Sequence, residues 1–222
     1  MEDAPGPGWP FTGYKRPVQR GLVLLILAIV TAGCSSAAGK KSSSLAAPSS
    51  ACPAKWRPGW QALADRIRAP VYCPTWLPRP LTGRIGGGWT DIDSVDRDRS
   101  YLVSFLYHEP DGGDVHVNFR GYPGRTRIPL CIDVELNGTQ ARRTKVPCFS
   151  DPRGGLRTNG IAATFYTVNK DADMWHILYA WRHDGSLYAV SEHVIAPLSY
   201  RQVRRNLDRL MRGLVLIRPR GT

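Results

Sequence analysis

Hydrophobic spacing along the chain changes from helical to extended and back again. Trp60, Leu63, Ala64 and Ile67 recur at intervals of three and four, which predicts a short helix over 56–68, ended by Ala69-Pro70. Prolines at 74 and 78 forbid regular helix across 71–78 and predict an extended segment. From Tyr101 the period falls to two. Residues 101–108 and 114–120, the latter with Val115, Val117 and Phe119 on one face, flank a Pro-Asp-Gly turn and read as a hairpin. A second hairpin runs from Cys131 to Cys148 around Asn137-Gly138, a strong two-residue turn. Further strands are expected over 161–168, 174–181 and 186–195, separated by polar turns. Ser199 then opens a helix to Arg212 whose apolar stripe is Val203, Leu207, Leu210 and Met211, with Arg201, Arg204, Arg205, Arg209 and Arg212 largely off it; 214–217 adds a last strand. The expected class is α+β, a curved antiparallel sheet of about six to eight strands with an N-terminal and a C-terminal flanking helix, all in one domain over 51–219.

The first 50 residues follow different rules. Lys15, Arg16 and Arg20 lead into an unbroken apolar run over 21–30, closed by Thr31, Ala32 and Gly33, which is the order of a signal peptide. Residues 21–33 fall short of the roughly 20 apolar residues that cross about 30 Å of hydrocarbon. Val30-Thr31-Ala32-Gly33-Cys34 resembles the lipobox of bacterial lipoproteins, with Thr31 where leucine is the usual residue. That resemblance implies a signal peptide at 1–33, cleavage before Cys34, acylation of Cys34, and an extracytoplasmic domain held on the cell membrane. The Ser/Ala-rich stretch 34–50 has no aromatic residue and reads as a flexible tether.

Setting Cys34 aside leaves Cys52, Cys73, Cys131 and Cys148, an even number suited to a disulfide-permissive compartment. Of the three pairings, Cys52 with Cys73 and Cys131 with Cys148 close short local loops and are the expected bridges. Zinc is not expected, since no Cys-x-x-Cys or histidine spacing supports it. The formal charge is +12, and residues 1–33 hold one unit of it, because three cations there face Glu2 and Asp3. Outside the cell such a charge favours an anionic envelope polymer, lipid or envelope protein as partner and leaves no role for nucleic acid.

Residues 160–215, with a strand ending in Trp181, the Asp184-Gly185 turn, Leu187-Tyr188-Ala189-Val190 and a helix, resemble, together with 70–78, an uncharacterised extracytoplasmic domain. That domain recurs in bacterial lipoproteins and in proteins linked to anti-sigma regulation, and the likeness implies no established activity. The glycine run 83–88 lacks the ending of a phosphate loop, so no cofactor is expected. Among His108, His116, His176, His183 and His193, the pair His176 and His193 would face one another across a hairpin. Asp91, Asp93, Asp96 and Asp98 form an acidic loop without the closing glutamate of a calcium site. Serines 104, 186, 191 and 199 lack any nucleophile motif. Trp76, Trp89, Trp175, Tyr179, Trp181 and Tyr188 are the candidates for a ligand groove on the sheet. The expected function is a membrane-anchored, non-enzymatic binding or sensor module of the cell envelope, with no catalytic residue and no metal. The alternatives are an envelope hydrolase or metal-dependent enzyme built on His176, His193 or the acidic loop, and a structural envelope protein.

Overall fold

Helix α1, Arg57–Ile67, forms where the three-and-four spacing places it, with Pro58 in its first turn and Arg68 closing its end in the left-handed conformation. The computed structural model describes residues 51–81, 94–108, 114–171 and 175–221. Cys34 with the signal segment and tether, the glycine run, Trp89, Asp91, Asp93 and the Pro-Asp-Gly turn lie outside the described residues. All described residues belong to one compact unit, Leu45–Thr222.

After α1 come β1 (Val71–Pro74), β2 (Tyr101–His108), β3 (Asp114–Tyr122), β4 (Leu130–Asn137), β5 (Gln140–Pro147), β6 (Phe149–Thr158), β7 (Ile161–Asn169), β8 (His176–His183) and β9 (Ser186–His193). Helix α2 (Tyr200–Arg212) and β10 (Leu214–Ile217) complete the order. The class is α+β, with an open antiparallel sheet of six strands in the order β2-β3-β9-β8-β7-β6. Two smaller sheets accompany it among the described residues. β1 pairs antiparallel with β10, and β4 pairs with β5 as a separate hairpin that does not join the main sheet.

Alternation along the strands divides the main sheet into two faces. Val103 and Phe105 of β2, Val115, Val117 and Phe119 of β3, Tyr188 and Val190 of β9, Ile177, Tyr179 and Trp181 of β8, and Phe165 of β7 turn toward the helices and form the principal core. Trp56 and Trp60 press on Phe105 and Phe119 at ring separations of 5.5 and 5.6 Å, which seats the start of the domain on β2 and β3. Val203, Leu207, Leu210 and Met211 of α2 are buried in the same core. Ser199 caps α2 by accepting from Gln202 N at 3.3 Å, and Gly213 ends it. A side chain at Gly213 would meet Thr75 Oγ1, and Thr75 N donates to Gly213 O at 3.0 Å, so the close approach of the β1 end requires glycine there.

The opposite face carries a second, smaller core of Tyr122, Leu178, Ala180, Leu187 and Ala189, covered by Cys148 and Phe149 with Ile128 and Cys131 alongside. Both expected bridges are at bonding distance: Cys52–Cys73 with Cα atoms 5.7 Å apart and Cys131–Cys148 at 4.8 Å. Strand β6 was not expected from the sequence, since Pro152 and the Gly154-Gly155 pair break any strand pattern. It is tolerated because β6 is an edge strand whose register shifts between Pro152 and Gly155.

Candidate functional site

The expected aromatic groove is corrected by the structure. Tyr179, Trp181 and Tyr188 fall on the helix-facing side of β8 and β9 and are buried, so they fill the core. Tyr72 of β1 packs against Trp181 and Tyr188 at 5.1 and 5.0 Å, closing off the space a ligand would need. The Tyr188 hydroxyl donates to Pro70 O at 2.9 Å, and burial pushes its phenol up to about 12. Tyr179 donates to Asp208 Oδ1 at 2.7 Å, and burial followed by that carboxylate holds its proton well above the usual range. Trp76 is half-buried with the Arg209 guanidinium 4.0 Å above its ring, whereas Trp175 is exposed.

The histidine expectation holds and gains a member. His176 and His193 are cross-strand partners with stacked rings 4.9 Å apart. His116 of β3 joins them, its ring 4.4 Å from His176 and 4.8 Å from His193. All three are buried on the face opposite the helices, beside Asn118 and Ser191. Asp114 O lies 3.1 Å from His116 Nδ1 and 2.8 Å from His193 Nδ1. A carbonyl oxygen only accepts, so both rings carry hydrogen on Nδ1. Sequence spacing within β8–β9 reveals the first pair; His116 arrives through the β3–β9 pairing, which no local pattern encodes.

Glu192, adjacent to His193, points to the other face and is fully buried among the helix-side core. Its ladder partners are Val117 and Ile177, and its side chain accepts from Asn206 Nδ2 of α2 at Oε1, 2.7 Å away. Among the described residues Oε2 has no hydrogen-bond partner, and burial pushes this carboxyl up to about 8 against the smaller opposing effect of Asn206. The signal for this site was the alternation Tyr188, Val190, Glu192, which places the acid on an otherwise apolar row.

The other candidates are absorbed by local structure. Ser100 Oγ donates to Asp96 Oδ2 at 3.2 Å and Asp98 Oδ1 at 2.6 Å, and Arg125 pairs with Asp98 at 2.8 Å, so this part of the acidic loop is held as a turn. The Ser100 hydrogen bonds, followed by Arg125, hold the Asp98 carboxyl below its ordinary value. Ser104 donates to Asn118, Ser186 accepts from Gly124 N at 3.2 Å, and Ser199 is the helix cap. Among the described residues, donor atoms within 4.8 Å of one another come from Cys131, Cys148 and Asp171, and the two sulfurs are bonded together. Asp171 instead anchors Arg120 at 3.1 Å and accepts from the Tyr122 hydroxyl at 2.5 Å.

Helix α2 turns charge outward. Arg201, Arg205, Arg209 and Arg212 are exposed along α2. Arg204 turns inward, 3.5 Å over the Phe165 ring, and its Nε donates to Asp208 Oδ1 at 3.2 Å. Asp208 is thus committed to Tyr179 and Arg204, which leaves the outer face of α2 cationic. Among the described residues no helix is long and apolar enough to cross a membrane. No protein-family model, curated protein or solved structure matches this chain.

Proposed function

We propose that the chain is a lipid-anchored envelope lipoprotein whose domain is a non-enzymatic binding or sensor module. The exposed arginines of α2 engage an anionic envelope component. The observation that carries this reading is the arginine row itself: Arg201, Arg205, Arg209 and Arg212 face solvent while Asp208 is turned inward. Arginine in such a row suits carboxylate and phosphate groups, which its planar fork binds through paired hydrogen bonds. Two cysteine pairs at bonding distance support the extracytoplasmic address, because disulfides persist where thiols are not kept reduced.

Two measurements test the two halves of this reading. Intact mass of the protein extracted from membranes is expected to show a chain beginning at Cys34 with added acyl mass; an unmodified chain starting at Met1 refutes the anchor. Capture of envelope fractions by the full chain is expected to exceed that of a charge-matched control and to drop at least tenfold in the triple variant Arg201→Gln, Arg205→Gln, Arg212→Gln. Equal capture by the variant removes α2 as the binding face.

A further inference from the structure

The β4–β5 hairpin has two faces of opposite character. Leu130, Ile132, Val134 and Leu136 stand on one of them, between 49% and 77% exposed. Residues paired across an antiparallel ladder share a face, so this one also holds Pro147, Lys145, Arg143 and Ala141. Cys131, Asp133 and Glu135 occupy the reverse, opposite Val146, Thr144 and Arg142. The charges are therefore sorted. Both acids of the ribbon lie on the reverse face, Asp133 bonded to Lys170 at 3.1 Å and Glu135 across from Arg142. The apolar face carries cations alone, Arg143 and Lys145.

That combination identifies the occupant by its chemistry. The apolar row is aliphatic throughout and lacks the tryptophan and tyrosine anchors that dominate protein interfaces. Aliphatic side chains flanked by long cationic ones match the boundary of an anionic bilayer, where alkyl groups enter the acyl region and the charged ends reach the phosphates. We propose that this face of the β4–β5 hairpin inserts shallowly into an anionic lipid surface and orients the domain on its membrane. The proposal rests on the envelope reading above and adds the bilayer itself as a direct ligand.

The test uses the full chain with Cys34→Ser, which removes acylation and leaves the remaining cysteines in their two bridges. A single added cysteine, Leu136→Cys, carries an environment-sensitive fluorophore, and a second protein carries it through Gln140→Cys on the reverse face. With vesicles of equal parts phosphatidylcholine and phosphatidylglycerol, the probe at 136 is expected to shift to the blue and to be quenched by bilayer-borne quenchers, while the probe at 140 is not. Each cation near an anionic leaflet strengthens binding about fivefold, so Arg143→Gln with Lys145→Gln is expected to weaken the vesicle partition read at 136 about 30-fold. Near-ultraviolet circular dichroism matching the parent establishes that this exposed double variant is folded.

An unchanged probe at 136, an equal response on phosphatidylcholine alone, or an equal response at 140 overturns the proposal. A shift that grows with protein concentration without lipid also overturns it, in favour of a second copy of the chain. None of these outcomes bears on the acyl mass at Cys34 or on capture by α2, so failure here and failure of the envelope reading are separable.

Discussion

Replacing Glu192 with glutamine isolates one buried titration. Burial lifts the Glu192 carboxyl from the usual 4.5 to about 8, and its surroundings are Val117, Ile177 and the Asn206 amide. The folded chain binds this proton more tightly than the unfolded chain does. The group's contribution to stability is therefore fully present below about pH 4.5, declines as pH rises through the window to 8, and levels off above it. Integrating between pH 5 and 8 gives a loss on the order of 3 to 4 kcal/mol, equivalent to roughly 10 °C in midpoint for a domain of this size. The other carboxyls with a resolved shift, Asp65, Asp98 and Asp151, are lowered below 3.8, and the shifted tyrosines are raised above 10, so neither set acts in this window. Glu192→Gln keeps the size of the group and an oxygen for Asn206 but cannot ionise. Thermal denaturation of both proteins at pH 5, 6, 7 and 8, at fixed ionic strength, is expected to show the parent declining relative to the variant, since the difference between the two curves cancels every group that both proteins share. Parallel slopes in the two proteins would refute the assignment of this titration to Glu192.

Two further outcomes follow from packing and chain connectivity. Cys131→Ala with Cys148→Ala opens a loop with a sequence separation of 17 and is expected to cost about 3 kcal/mol in urea denaturation; an unchanged midpoint contradicts the bridge's role. Gly213→Ala drives a methyl group onto the Thr75 hydroxyl and is expected to cost about 2 kcal/mol, most of it recovered when combined with Thr75→Ala; additive losses in that double-mutant cycle would show that the contact is not the cause.

Most elements were readable because each carries a local signal. The helix stripe Val203, Leu207, Leu210 and Met211 is buried as a set, and the Asn137-Gly138 turn closes the β4–β5 hairpin with Gly138 at φ 62°. Short loop closure also picked out the right cysteine pairs. What stayed hidden depends on partners distant in the chain. Pro152 and Gly155 sit within a strand only because β6 lies at the sheet edge, and His116 meets His176 and His193 only through the β3–β9 ladder. The aromatic residues misled for a related reason. Their number suggested a binding face, but whether Tyr179, Trp181 and Tyr188 are open or covered is decided by β1 and α2 packing over them, which alternation alone does not reveal.

The Cys52–Cys73 bridge has a mechanical consequence. Tension pulling on the chain from its N-terminal side reaches Cys52 and crosses the covalent link directly into Cys73 of β1. The intervening segment, helix α1 included, then bears no load, so a tug cannot peel Trp56 and Trp60 from the sheet by unwinding that helix. Force passes to the β1–β10 ladder, Val71 with Ile217 through Pro74 with Leu214, and is resisted by the two ends of the domain gripping each other.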